Sequence, residues 1–357
     1  MLNKRHKSLK WAVNQVINRG LQGISYKLDK SIAKPTRLIF CMTLRCNIKC
    51  RQCAIWRMPH AEELTADEWK KTILDLRKFI GPYRVQLAGG EIFVRKDITE
   101  IIRYASQNDV LTGIVSNGTL ITQKLAAELV DAGLGYIHIS VDGVKAETHD
   151  FIRGIPGIYN KTVKGIDHLL AAAKGSGMSL CVATIIMKQN MHELIDLVHW
   201  AEDKGMDGII FNPLGPTIDS DPEWYKKTDL WFDDLDEIYT VLDKLIAMKK
   251  GGSKILNPPE QFEEMKSYFK KPFVLRNAEC MVGITNLNIT CDGFMHTCFK
   301  MPPIGNIREI TPKEAWNSEL AINIRKKIKA CDIHCSPGNF VYRRSLLSEI
   351  KRFINYG

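Results

Sequence analysis

Between residues 37 and 213 the chain alternates short β-branched apolar runs with longer stretches in which apolar side chains recur every three or four positions. The runs at 37–42, 83–88, 111–116, 136–141, 179–186 and 208–212 are predicted strands, and the stretches at 65–80, 97–108, 122–133, 160–174 and 192–204 are predicted helices. Thr65 with Glu68 makes a capping-box pattern for the first of these helices, and Asp97 stands at the N-cap position of the second. Repeated strand–helix alternation implies a parallel sheet with right-handed crossovers, and six units are too few to close eight strands. The expected fold is α/β: a partial (β/α)6 TIM-like barrel over 37–215.

Outside that region the pattern changes. Leu9, Val13, Val16, Ile17, Leu21 and Ile24 recur at helical spacing with Lys and Arg between them, a basic amphipathic helix within 1–36. Such a helix either packs across the barrel base with its basic face in water, or lies in the headgroup region of an anionic membrane. Leu235, Ile238, Tyr239, Leu242 and Leu245 mark a helix in a linker at 216–275, where Trp224, Tyr225, Trp231 and Phe232 are either core or a pocket wall. A hairpin turning at Asp292-Gly293 is expected in a small α+β domain at 276–340, and a basic helix at 341–357.

At 357 residues and 45% apolar content, the chain has room for one large barrel and an appended domain. No run approaches 18 consecutive apolar residues, and the start lacks the compact apolar core of a signal peptide, so the expected location is the cytoplasm. Residues 1–37 hold nine basic residues and one acid, most of the formal +10. A basic excess confined to one end indicates a local docking surface, and no nucleic-acid partner is expected.

Ten cysteines bunched in short-spaced sets suit a reducing compartment and metal clusters better than a disulfide framework. Cys46, Cys50 and Cys53 stand in a C-x3-C-x2-C array. Thiolates select zinc, Cu(I) or iron–sulfur; zinc wants a fourth ligand, and His60 is an awkward reach. In a 4Fe-4S cube three cysteines leave one iron open to substrate or cofactor. Further along, the hairpin returns Cys298 toward Cys280, and Cys331 with Cys335 completes a set of four thiols suited to a zinc ribbon or a second 4Fe-4S cluster. The segments after the predicted strand ends are polar or glycine-rich: the cysteine array, Gly89-Gly90-Glu91, Ser116-Asn117-Gly118-Thr119, Ser140-Val141-Asp142-Gly143 and Lys188-Gln189-Asn190. In a parallel barrel that edge is where function gathers.

The cysteine array resembles the signature of the radical S-adenosylmethionine (radical SAM) enzymes, with Gln52 where the family often has an aromatic residue. Gly89-Gly90-Glu91 is similar to the family's Gly-Gly-Glu-Pro segment, with Ile92 in place of Pro; there the SAM ammonium meets backbone carbonyls and the Glu, and glycine lets backbone approach the ligand. Ser116-Asn117-Gly118 resembles Thr-Asn-Gly, and Ser140 with Asp142 resembles the Ser-x-Asp segment facing the ribose and methionine. His149-Asp150-Phe151-Ile152-Arg153-Gly154 is similar to a run in the branch with added cluster domains, where Arg153 would pair with the SAM carboxylate; the plain alternative is a solvated surface arginine. Asn190 and Leu214 are implied contacts to ribose and adenine. The second cysteine set resembles the SPASM/twitch type of auxiliary domain, in which Cys280, Cys298, Cys331 and Cys335 would ligate one auxiliary 4Fe-4S cluster. Cys291 is left over as an idle thiol, a hydrogen-atom donor or a ligand.

The resemblance implies two 4Fe-4S clusters, SAM cleavage to a 5'-deoxyadenosyl radical, hydrogen abstraction from substrate, and a two-electron oxidation supported by the auxiliary cluster. Epimerisation with Cys291 as donor is the alternative within the family; an electron-transfer protein without SAM binding is the alternative outside it. The expected partners are a small-molecule, peptide or lipid- or glycan-linked substrate, an external one-electron reductant such as flavodoxin or ferredoxin, and a membrane surface met by residues 1–30.

Overall fold

The computed structural model describes residues 9–59, 62–216, 223–272 and 280–331, with side chains from residue 16 onward. His60, Cys335 and the helix expected at 341–357 lie outside the described residues. Among the described residues nine strands form one sheet: β1 (Arg37–Thr43), β2 (Tyr83–Gly89), β3 (Val110–Ser116), β4 (Tyr136–Ser140), β5 (Ser179–Ile186), β6 (Gly208–Pro213), β7 (Asn286–Ile289), β8 (Phe294–His296) and β9 (Gly305–Asn306), in the order β6-β5-β4-β3-β2-β1-β7-β8-β9. The helices are α1 (Leu9–Leu28), α2 (Ala66–Ile80), α3 (Ile98–Gln107), α4 (Gln123–Asp131), α5 (Ala146–Arg153), α6 (Ile158–Ala173), α7 (Leu194–Asp203), α8 (Leu235–Lys250), α9 (Pro259–Lys270), α10 (Val282–Thr285), α11 (Pro312–Asn317) and α12 (Glu319–Lys329).

All six expected strands form and pair in parallel, so their C-terminal ends share one edge. β7 adds a seventh parallel strand, matching Phe40 of β1 with Ile289, and the β7–β8–β9 hairpins continue the sheet antiparallel. The expected hairpin at Asp292-Gly293 therefore extends the barrel sheet. Buried and half-buried positions alternate along β1 and β2. Phe40 stacks on Trp69 of α2 at 5.0 Å, so Leu38, Phe40 and Met42 face the helices while Ile39 and Cys41 face the concave side. One covered face and one half-open face is what a partial barrel with a usable mouth requires.

The capping box at Thr65 and Glu68 forms as expected. Asp97 sits at the N-cap of α3 but makes no side-chain cap; its carboxylate pairs instead with Arg95 at 2.6 Å. α5 and α9 add helices where no helix was expected, and Trp231 packs edge-on against Trp224, Tyr268 and Phe269, making that aromatic group part of the core.

Candidate active site

β1 ends at Thr43, and the loop that follows carries the three thiols. Cys46, Cys50 and Cys53 pack together around Ile48, Ile155 and Ile158, a small apolar cluster separate from the main core. Burial pushes the Cys46 thiol up to about 11 and raises Cys50 as well, so ligation of a metal must displace protons. The loop is held from three sides. The Arg51 N–H donates to the Ile152 carbonyl at the end of α5, and a Cβ on Gly154 would stand 2.7 Å from the Lys49 carbonyl oxygen. The Trp56 indole donates to the Cys50 carbonyl at 3.2 Å. The Asn47 amide bridges to the segment after β3, accepting from Asn117 and donating to Thr119, both at 2.9 Å.

Gly89 and Gly90, at the end of β2, are required by the chain's own backbone. Their Cβ atoms would lie 2.2 Å from the Thr43 carbonyl oxygen and 2.1 Å from that of Arg45, where the Gly90 and Glu91 N–H groups donate to the same two carbonyls. The close approach that excludes a side chain is thus between the β1 and β2 loops, a reason distinct from the ligand approach expected from the sequence. Glu91 is almost wholly buried and accepts from the Ser116 hydroxyl and the Asn117 N–H, each at 2.8 Å, and from the Phe93 N–H at 3.3 Å. Burial pushes its carboxyl up against the pull of these donors. Its side chain ties the second strand end to the third.

At the fourth strand end Asp142 is fully buried and pairs with Arg153 at 2.6 Å. Burial works against the charge on Arg153, but Asp142 and the Cys50 sulfur, 3.8 Å from its Nη1, hold the guanidinium charged. Arg153 is 7% exposed, which excludes the solvated surface alternative. Gln52 donates to the same Asp142 oxygen at 3.3 Å. Two atoms of this group have no hydrogen-bond partner although buried: Gln52 Oε1 and Arg153 Nε. Unpaired polar atoms beside a thiol cluster suit a site built for a polar ligand.

The His149 Nδ1 accepts the Asp142 N–H at 3.2 Å, and burial lowers its pKa to about 3, leaving the ring neutral. Asn190 is fully buried: its amide donates to the carbonyls of Asp142 and Ile185 and accepts from the Met187 N–H. With both donors engaged on backbone, Asn190 holds the β4 and β5 ends together. Glu193 does similar work, accepting from the Val144 and Lys145 N–H groups and pairing with the Thr148 hydroxyl. Ser140 is half-buried at the end of β4, and Leu214 is buried in the core cluster, its carbonyl accepting from the Tyr268 hydroxyl.

Of the second thiol set, Cys280, Cys298 and Cys331 lie half-buried among the described residues, and Cys335 lies outside them. Cys298 feels the charges of Cys280 and Cys331, and burial, with those charges added, raises its pKa. Cys291 is buried, with its thiol hydrogen-bonded to Cys41 and its carbonyl accepting from the Leu64 N–H at 2.6 Å. That bond, with burial, pushes the Cys41 thiol up. The sequence reading passed over Asn47, Gln52 as a partner of Asp142, and Glu193. An amide inside a cysteine loop was the available signal for Asn47; nothing local marks Glu193.

The family model described as Radical SAM superfamily matches residues 40–201, and the SPASM model, an iron-sulfur cluster-binding domain, matches residues 280–336. The chain is 28% identical over 311 residues to the AdoMet-dependent heme synthase of Methanosarcina barkeri, covering 82% of this chain and 85% of that protein. It is 30% identical over 177 residues to the PqqA peptide cyclase of Bradyrhizobium diazoefficiens, covering 49% of this chain and 45% of that protein, so it spans under half of that relative's length. Streptococcus suis SuiB bound to S-adenosylmethionine shares the fold, with a TM-score of 0.67 at 16% identity over 90% of this chain and 79% of that one. The chain belongs to the radical SAM superfamily, as an enzyme with a SPASM domain that uses 4Fe-4S clusters and S-adenosylmethionine.

Proposed function

We propose that this enzyme removes a hydrogen atom from an unactivated carbon of its substrate and completes a two-electron oxidation with the help of the auxiliary cluster. Cys46, Cys50 and Cys53 hold the SAM-binding cluster; Cys280, Cys298, Cys331 and Cys335 hold the auxiliary one. When bound, cluster and SAM would supply the radical chemistry that abstracts hydrogen, with a flavodoxin or ferredoxin as the one-electron reductant. The protein's part is placement. Gly89, Gly90 and Ser140 would meet the amino acid and ribose ends of SAM, Arg153 Nε and Gln52 Oε1 would offer one donor and one acceptor, and the buried Asp142–Arg153 pair keeps that donor charged and in place. Glu91, Ser116, Asn117 and Asn190 fix the strand ends that carry these groups. The half-open concave face of β1 and β2 admits substrate, of peptide or porphyrin type by the names of the two relatives.

One observation carries this reading: three thiols stand together at the edge where the strands end, flanked by a buried acceptor and a buried donor without partners. Anaerobic reconstitution tests the proposal. About eight irons per chain and 5'-deoxyadenosine under strong reductant are expected; Cys298→Ala should drop the iron toward about four with SAM binding retained. A full iron load without 5'-deoxyadenosine would overturn it.

A further inference from the structure

Helix α1 is mounted with its polar side inward. Gln22 and Ser25 are buried, 4% and 2% exposed, and face the turn at 30–36. The Gln22 amide donates to the Thr36 hydroxyl at 3.1 Å, the Ser25 hydroxyl accepts from the Ala33 N–H at 2.8 Å, and the Asn18 amide exchanges two hydrogen bonds with the backbone of Lys34. The apolar side is turned out: Val16, Ile17, Ile24, Leu28 and, in the following turn, Ile32 are between 41% and 57% exposed. Ile17, Ile24 and Leu28 are seven and four residues apart and so lie on one stripe. A helix that buries amides and exposes isoleucines is arranged for a second apolar phase.

The charge around the stripe identifies that phase. Lys27, Lys30 and Lys34 are exposed beside it, residues 1–37 hold nine basic residues against one acid, and that acid, Asp29, is paired with Lys329 of α12 at 3.2 Å. Two copies of so basic a segment repel, which disfavours self-association through this face. No helix among the described residues is long and apolar enough to cross a membrane. We propose that α1 and the turn after it dock flat on the surface of an anionic lipid bilayer, isoleucine stripe in the acyl boundary and lysines at the headgroups. The helix joins the sheet where β1 starts, and the cysteine loop leaves where β1 ends, about 23 Å further at ~3.3 Å per residue. The contact anchors the enzyme and leaves the barrel mouth free of lipid.

Co-sedimentation of the full chain with vesicles tests this. Binding is expected to phosphatidylcholine vesicles carrying about 30% phosphatidylglycerol and not to phosphatidylcholine alone. The triple change Ile17→Asp, Ile24→Asp, Leu28→Asp should release the protein while iron content and 5'-deoxyadenosine formation stay at the unchanged level. Replacing Lys27, Lys30 and Lys34 by Gln should weaken partitioning by up to ~100-fold, from roughly 1 kcal/mol per basic side chain near the surface. The proposal fails if neither vesicle binds, or if the Asp variant sediments as before so that charge alone is at work. It fails equally if light scattering finds a dimer that the Asp variant dissolves, which would assign the stripe to a second copy.

Discussion

His149 is a buried base that the folded chain keeps neutral, so acid should destabilise the fold through this one ring. Its pKa is lowered to about 3 by burial, with the Arg153 charge adding, against about 6.5 in an unfolded chain. A base whose folded pKa is depressed contributes full stability above the unfolded value and loses it as pH falls, because only the unfolded chain takes up the proton. Linkage gives a loss of about 2 kcal/mol between pH 7 and pH 5, and any folded pKa below about 4 gives nearly the same figure. Urea unfolding under anaerobic conditions at both pH values measures it, with His149→Asn as the reference: the Asn oxygen can still accept the Asp142 N–H but takes no proton. The wild-type chain should lose about 2 kcal/mol more than the variant over that interval. Equal losses in the two proteins would show that His149 is not held neutral and that the Asp142 turn is not fastened by its ring.

Asn190→Ala leaves the Met187 N–H and the carbonyls of Asp142 and Ile185 without their partner and should cost about 3 kcal/mol, roughly one for each bond. Unchanged stability with weakened SAM affinity in equilibrium dialysis would instead make Asn190 a ligand contact. Gly90→Ala drives a Cβ to within 2.1 Å of the Arg45 carbonyl oxygen and should cost about 3 kcal/mol or more, with 5'-deoxyadenosine formation lost. Gly23→Ala, inside α1 with nothing within 4 Å, is the control: stability should hold or rise by up to about 1 kcal/mol, with 5'-deoxyadenosine formation unchanged.

Much of the barrel was legible because parallel strands advertise themselves locally: β-branched runs and intervening 3.6-residue periodicity located all six strands within two residues of where they form. The thiol sets were legible for a similar reason, since metal-ligand spacing is a short-range property of the chain. α5 escaped because eight residues are too few for periodicity to speak, and Asp97 lost its cap to Arg95 two residues away, a competition that propensity does not rank. β7 pairs with β1 although Phe40 and its partner Ile289 are 249 residues apart, and only tertiary contact joins them.

The sequence by itself determined the order of strands, the cysteine spacings and the presence of a basic amphipathic helix, because each depends on residues a few positions apart. Only the tertiary structure decided that the Gly89–Gly90 pair serves a backbone crossing, that Asn190 spends its donors on carbonyls, and that Arg153 is buried against Asp142. Periodicity says that a helix has an apolar side, but not which way that side points. In α1 the direction was settled by amide and hydroxyl contacts to a turn eight to sixteen residues further on, and those contacts exist only once the chain has folded.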